Sequence, residues 1–95
     1  MERYRRIIRA HVYDKCWQLD ITWAEVERLL DQGDVVEETE NEGHVKRVRF
    51  LEGWTRPLHI VEVVDDDQEL IVFVTIYEPD LDRWQPGFRE RRRST

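Results

Sequence analysis

Tyr4, Ile7, Ile8, His11, Val12 and Cys16 recur at steps of three and four residues. That spacing gathers side chains onto one stripe of an α-helix, and it predicts a helix from about Arg3 to about Gln18, with the arginines mostly off the stripe. A sharper signal follows at Ile21-Thr22-Trp23-Ala24-Glu25-Val26. Thr22 has the hydroxyl to accept from the first free amides of a helix, Glu25 stands three residues on, and Ile21 and Val26 flank the pair as a hydrophobic staple. A second helix is therefore expected from Trp23 to Gln32, burying Val26, Leu29 and Leu30, with Gly33 as a left-handed stop. A helix this short does not stand alone in water, so it must pack on something.

From Asp34 the period changes from helical to extended. Val35 to Glu40 and Val45 to Leu51 flank Asn41-Glu42-Gly43-His44, a turn signal that predicts a hairpin. Pairing Glu40 with His44 sets Glu38 opposite Lys46 and Glu37 opposite Arg47. Pro57 opens a third strand, Leu58 to Val64; Asp65-Asp66-Asp67-Gln68 is a solvated turn; Leu70 to Tyr77 is the fourth strand, ended by Pro79. The expected fold is α+β, two N-terminal helices packed on a four-stranded antiparallel sheet. Leu70 to Tyr77 is apolar on both faces, where a half-wet strand would alternate. Two helices cover one face only, so the other is covered by Trp84 and Phe88 or by a partner molecule.

The 95 residues make one domain, with residues 1–88 folded and the charged run 89–95, which has no apolar period, expected as a frayed tail. Cys16 is the single cysteine, so no intrachain disulfide exists and a reducing compartment is expected. The first ten residues carry Arg3, Arg5, Arg6 and Arg9 and lack the apolar run of a signal peptide or a membrane span, which makes a cytoplasmic location the expectation. Net charge is −6, but residues 1–11 and 88–95 are each +3, leaving −12 for residues 12–87. An acidic body with basic ends does not suit wrapping by nucleic acid, although a local basic stripe can still serve.

His11, His44 and His59 fall on three different elements without metal-ligand spacing, glycines are single rather than clustered into a phosphate loop, and no cofactor motif is present. A histidine on an apolar stripe, such as His11, is more often a core or boundary group than a base, and His44 in a turn is most simply solvated. His59 interrupts the apolar run Leu58 to Val61, so a buried ring there needs a hydrogen-bond partner, and it stays open between structural and functional roles. Cys16 has no activating neighbour beyond Lys15, which points to one side. Glu78-Pro79-Asp80 reads most simply as a turn with solvated acids. Trp23, Trp54, Trp84 and Tyr77 can stack bases, but in a small acidic domain such residues more often complete a core or an interface.

At Gly53-Trp54-Thr55-Arg56-Pro57-Leu58-His59-Ile60-Val61, and again at Thr75-Ile76-Tyr77-Glu78-Pro79-Asp80 followed by Trp84, the chain closely resembles DUF4258, a large bacterial family catalogued as a domain of unknown function. The resemblance covers nearly the whole chain. The order of elements is also similar to that of RelE-type and BrnT-type toxins, small ribonuclease-like partners in toxin–antitoxin pairs. The resemblance implies His11 and His59 as acid–base candidates and Lys15 and Arg56 as phosphate clamps, provided the four converge. The helical arginine of the family is replaced by Lys15, and its Glu-Arg-Gly by Gln18-Leu19-Asp20. Two functions follow as alternatives: a toxin-like, RNA-directed domain bound by an antitoxin, or a non-catalytic interaction module that binds a protein partner or forms a homodimer through its sheet. Arg56 and His59 lie three apart, on opposite faces of a regular strand, so the catalytic alternative requires an irregularity at Pro57.

Overall fold

The structure, a computed structural model, describes residues 4–93. Its elements run β1 (Arg5–Ile8), α1 (Ala10–Gln18), α2 (Trp23–Leu30), β2 (Asp34–Asn41), β3 (His44–Leu51), β4 (Leu58–Asp65) and β5 (Leu70–Tyr77). The fold is α+β as expected, but the sheet has five strands in the order β1-β5-β4-β3-β2 and is mixed.

The difference lies at the N-terminus. Arg5 to Ile8, expected as the first turns of a helix, is a strand pairing in parallel with β5, Arg5 opposite Leu70 and Ile8 opposite Phe73. The helix starts only at Ala10, behind Arg9, whose side chain caps nothing. Without a Ser, Thr, Asp or Asn to mark that start, the apolar stripe ran on into residues that the open edge of β5 recruits as a strand. The expected beginning at Arg3 lies outside the described residues.

α2 begins as expected. Thr22 is extended, its hydroxyl accepts from the Glu25 amide at 3.2 Å, and the same hydroxyl donates to the Glu25 carboxylate at 3.0 Å. The helix ends at Leu30 with a right-handed C-cap at Asp31. Gly33 is not the left-handed stop predicted for it: the positive-φ glycines are Gly43, Gly53 and Gly87. A Cβ at Gly33 would instead stand 3.2 Å from the Phe50 carbonyl oxygen, so the glycine serves the close approach of the chain to β3.

The β2–β3 hairpin also shifts by one residue. Glu42 and Gly43 both take positive φ, 49° and 81°, a tight two-residue turn of the kind that matches strand twist, and Asn41 rather than Glu40 faces His44. Glu38 therefore faces Arg47, with the guanidinium 2.9 Å from its carboxylate, while Thr39 faces Lys46.

Both faces of the sheet are covered. On one, Val12 and Cys16 of α1, Ile21, and Val26, Leu29 and Leu30 of α2 pack on Leu51, Leu58, Ile60, Phe73 and Ile76. On the other, Trp84 and Phe88 pack on Val48, Val61, Val74 and Tyr77, the first of the two covers that the sequence left open. Asp80 starts the return: its carboxylate accepts from the amides of Asp82 and Arg83, both at 3.0 Å. Trp84 then bridges Arg91, closing a small hairpin over the sheet. Residues 89–93, expected as a frayed tail, make specific contacts, with Arg89 3.0 Å from Asp34 and Arg91 paired in a fork to Glu37 at 2.7 and 2.8 Å; residues 94 and 95 lie outside the described residues. No helix among the described residues is long and apolar enough to cross a membrane.

Candidate functional site

Of the four residues singled out by sequence, His59 is the most deeply placed. It is 0% exposed, between Tyr77 and Trp84, whose ring centroids lie 5.4 and 4.4 Å away. Nε2 stands 2.8 Å from the Phe88 carbonyl oxygen, which only accepts, so this nitrogen carries the proton. Nδ1 then accepts from the Tyr77 hydroxyl at 3.2 Å. Both nitrogens are spent inside the protein, and burial pushes the ring's pKa below the ordinary histidine value.

Arg56 lies just before β4 and turns away from His59. Its guanidinium donates to the Leu19 carbonyl at 2.8 Å, tying down the end of α1, and reaches Glu78 at 3.5 Å. β4 is regular through His59; the irregularity in its ladder with β5 comes later, at Val61 and Glu62. Arg56 stands in the bend before β4, which starts at Leu58, and its partners Leu19 and Glu78 are not those of His59, whose ring is held by Tyr77 and Phe88.

His11 stands in the first turn of α1, exposed, with Nε2 3.0 Å from the Thr75 hydroxyl. Lys15 follows one turn later, beside the Val12 and Cys16 stripe that enters the core. Because α1 runs along β5 from Thr75 towards the Arg56–Glu78 pair, His11, Lys15 and Arg56 follow one flank of the helix. His59 lies on the far side of the sheet.

Thr75 has a second neighbour. β4 and β5 lose register there: Val61 faces Thr75 while Glu62 faces Phe73, leaving Val74 as the extra residue. The bulge turns both Val74 and Thr75 into a groove of about 390 Å³ on the tail side of the sheet. Tyr77, Glu78, Asp80, Trp84 and three cations, Lys46, Arg83 and Arg91, complete its walls. Lys46 and Arg83 form no salt bridge among the described residues, whereas Arg91 is committed to Glu37 and lies 4.6 Å above the Trp84 ring. The Arg91 fork holds the Glu37 carboxyl below the usual carboxylate range and raises the guanidinium in turn; burial raises the Tyr77 phenol. His11 does not itself line this groove and is joined to it through its bond to Thr75.

The sequence pointed to His11 and missed the groove cations. Thr75 is the one polar residue in the apolar run Leu70 to Tyr77, a signal that was present. Lys46, Arg83 and Arg91 come from two distant segments, and nothing local joins them. His44, expected to be merely solvated, lies 3.2 Å from Asp65, which also accepts from the Gln68 amide at 3.1 Å. Among the described residues no three His, Cys, Asp or Glu side chains cluster as a metal site. Cys16 is buried, which raises its thiol pKa.

The family model described as "Domain of unknown function (DUF4258)" matches residues 8–78. Neither the curated proteins nor the solved structures contain a match to the chain.

Proposed function

We propose that this chain, which belongs to the DUF4258 family, is an RNA-directed domain that works as a ribonuclease-like toxin held by an antitoxin, with His11 as its proton-transferring group and the Thr75 groove as its phosphate site. The observation that carries the reading is an exposed imidazole bonded to Thr75, which lines a groove that also holds Lys46 and Arg83, two cations without a salt bridge among the described residues. Cleavage without a metal has the ribose 2′-oxygen attack the adjacent phosphorus while the 5′-oxygen leaves, giving a 2′,3′-cyclic phosphate. A base takes the 2′-proton, an acid returns one to the leaving oxygen, and cations hold the charge that builds on the non-bridging oxygens. His11 suits the proton transfer and Lys46 and Arg83 the charge; Lys15 and Arg56 border the path the strand would take along α1. His59 supports the groove wall from behind.

The test separates catalysis from folding. The purified wild-type chain is expected to cleave single-stranded RNA to cyclic-phosphate ends, and its induction without a partner to arrest growth. His11→Ala, exposed and outside the core, should keep its melting temperature and lose about 10²-fold or more in cleavage rate. His59→Ala is a poor test, because loss of a fully buried ring relieves arrest by unfolding alone. A folded wild-type chain that cuts no RNA, or a His11→Ala chain that cuts as fast, sinks the reading.

A further inference from the structure

The opposite flank of α1 carries a different chemistry. Trp17 is 87% exposed and Tyr13, one turn earlier, is 49% exposed. Tyr13 leans towards Trp23 of α2 at 6.3 Å between ring centroids, so the aromatic surface extends from α1 to the start of α2. A cleft of about 200 Å³ beside Trp17 is lined by Cys16, Asp20, Ile21, Thr22 and Glu25. Single exposed apolar residues are ordinary, but an indole left almost wholly in water beside a second aromatic and an apolar-floored cleft has the make-up of an interface anchor.

The surrounding charge chooses the occupant. Asp20 and Glu25 line the cleft and Asp14 lies a turn before Trp17, while no lysine or arginine lines it. A nucleic acid stacking on Trp17 would bring its phosphates against these carboxylates, and a second copy of this acidic face would repel the first. We propose that the Tyr13–Trp17 face with the cleft at Asp20 is a docking site for a protein partner that presents arginine or lysine beside an apolar side chain. The cation stacks on the Trp17 indole and pairs with Asp20, and the apolar side chain enters the cleft over Ile21 and Cys16. This face lies on the other flank of α1 from His11, so it stands or falls apart from RNA cleavage.

The experiment titrates the isotopically labelled full chain with a hexa-arginine peptide and follows the indole N–H of Trp17 and the amides of Asp14 and Asp20. Hexaglutamate and a six-residue oligouridylate serve as the comparison probes. Expected are shifts centred on Trp17 and Asp20, an affinity about tenfold weaker in Trp17→Ala, and about threefold weaker in Asp20→Asn. Asparagine keeps the left-handed conformation that Asp20 adopts, with φ of 57°. Both changes are on the surface, and unchanged melting confirms the fold. Shifts spread equally over the acidic turn at Asp66 and Asp67, a Trp17 response to oligouridylate instead, a Trp17 shift that follows protein concentration without peptide, or no response to hexa-arginine would each overturn the proposal.

Discussion

His11 and His59 share a chemistry and differ in what surrounds it. His11 keeps one ring nitrogen on the Thr75 hydroxyl and the rest of its ring towards water; His59 has given both nitrogens to the fold, one to Phe88 and one to Tyr77. A ring neutral by burial binds fewer protons folded than unfolded, so its contribution to stability is complete above the ordinary histidine pKa of about 6.5 and drains away as pH falls towards the depressed folded value. The chain should therefore lose stability between pH 7.5 and pH 5.5, measured as a fall in the urea midpoint. His59→Gln should be less stable at pH 7.5 by roughly 2 to 4 kcal/mol, since a buried ring and its two hydrogen bonds are lost, and flatter across the window. Glu37 does not contribute in this window: its carboxyl is held below the usual range, so that part of the stability is lost only as pH falls further. An unchanged pH slope in His59→Gln would show that the ring is not the titrating group.

At the scale of elements, the C-terminal hairpin decides what the sheet does. Trp84 is the largest wholly buried side chain, and with Phe88 it seals a face that β4 and β5 leave apolar. The anchors of this cover are the Asp80 turn at one end and the Arg91–Glu37 fork at the other. Deleting Asp82 to Thr95 should expose Val48, Val61, Val74 and Tyr77 together and remove the Phe88 carbonyl from His59. The truncated chain is expected to bind a hydrophobic dye and to self-associate in sedimentation. A soluble monomer with wild-type dye binding would mean that the hairpin covers nothing of consequence. Loss of Arg83 and Arg91 in the same deletion also removes two of the three groove cations, so RNA cleavage should disappear with the cover.

Across the whole molecule, β5 lies between β4 and the edge strand β1, and β4 lies between β5 and β3, so the first and last strands of the chain meet. Protection should follow this order. Amide exchange is expected to be slowest along Leu58 to Val64, where strands flank both sides and both faces are packed, and fastest in β1 and β2, whose outer edges have no strand beside them among the described residues. Exchange from Arg5 to Ile8 as slow as from β4 would place that segment inside a larger sheet than the one described.

What the chain determined on its own was local. Thr22 and Glu25 mark the start of α2 because a cap and its partner stand three residues apart whatever the rest of the fold does. Glu42-Gly43 marks a turn because its backbone demands positive φ, and the apolar run Leu70 to Tyr77 announces a strand that needs cover on both faces. The four strands from Asp34 onward were legible for the same reason, with the hairpin register displaced by the one residue that a two-residue turn takes up. Tertiary structure decided the rest. An apolar stripe from Tyr4 to Cys16 satisfies a helix and a strand alike in its first half, and only the unpaired edge of β5, some sixty residues away in the chain, favours the strand. The same holds for the site. A bulge opposite Val61 turns Thr75 into the groove, the returning hairpin brings Arg83 and Arg91 beside Lys46, and Arg56 and His59 find partners on different segments, Leu19 for one and Phe88 for the other, because contacts between distant segments depend on how elements pack and not on the spacing of residues along any one of them.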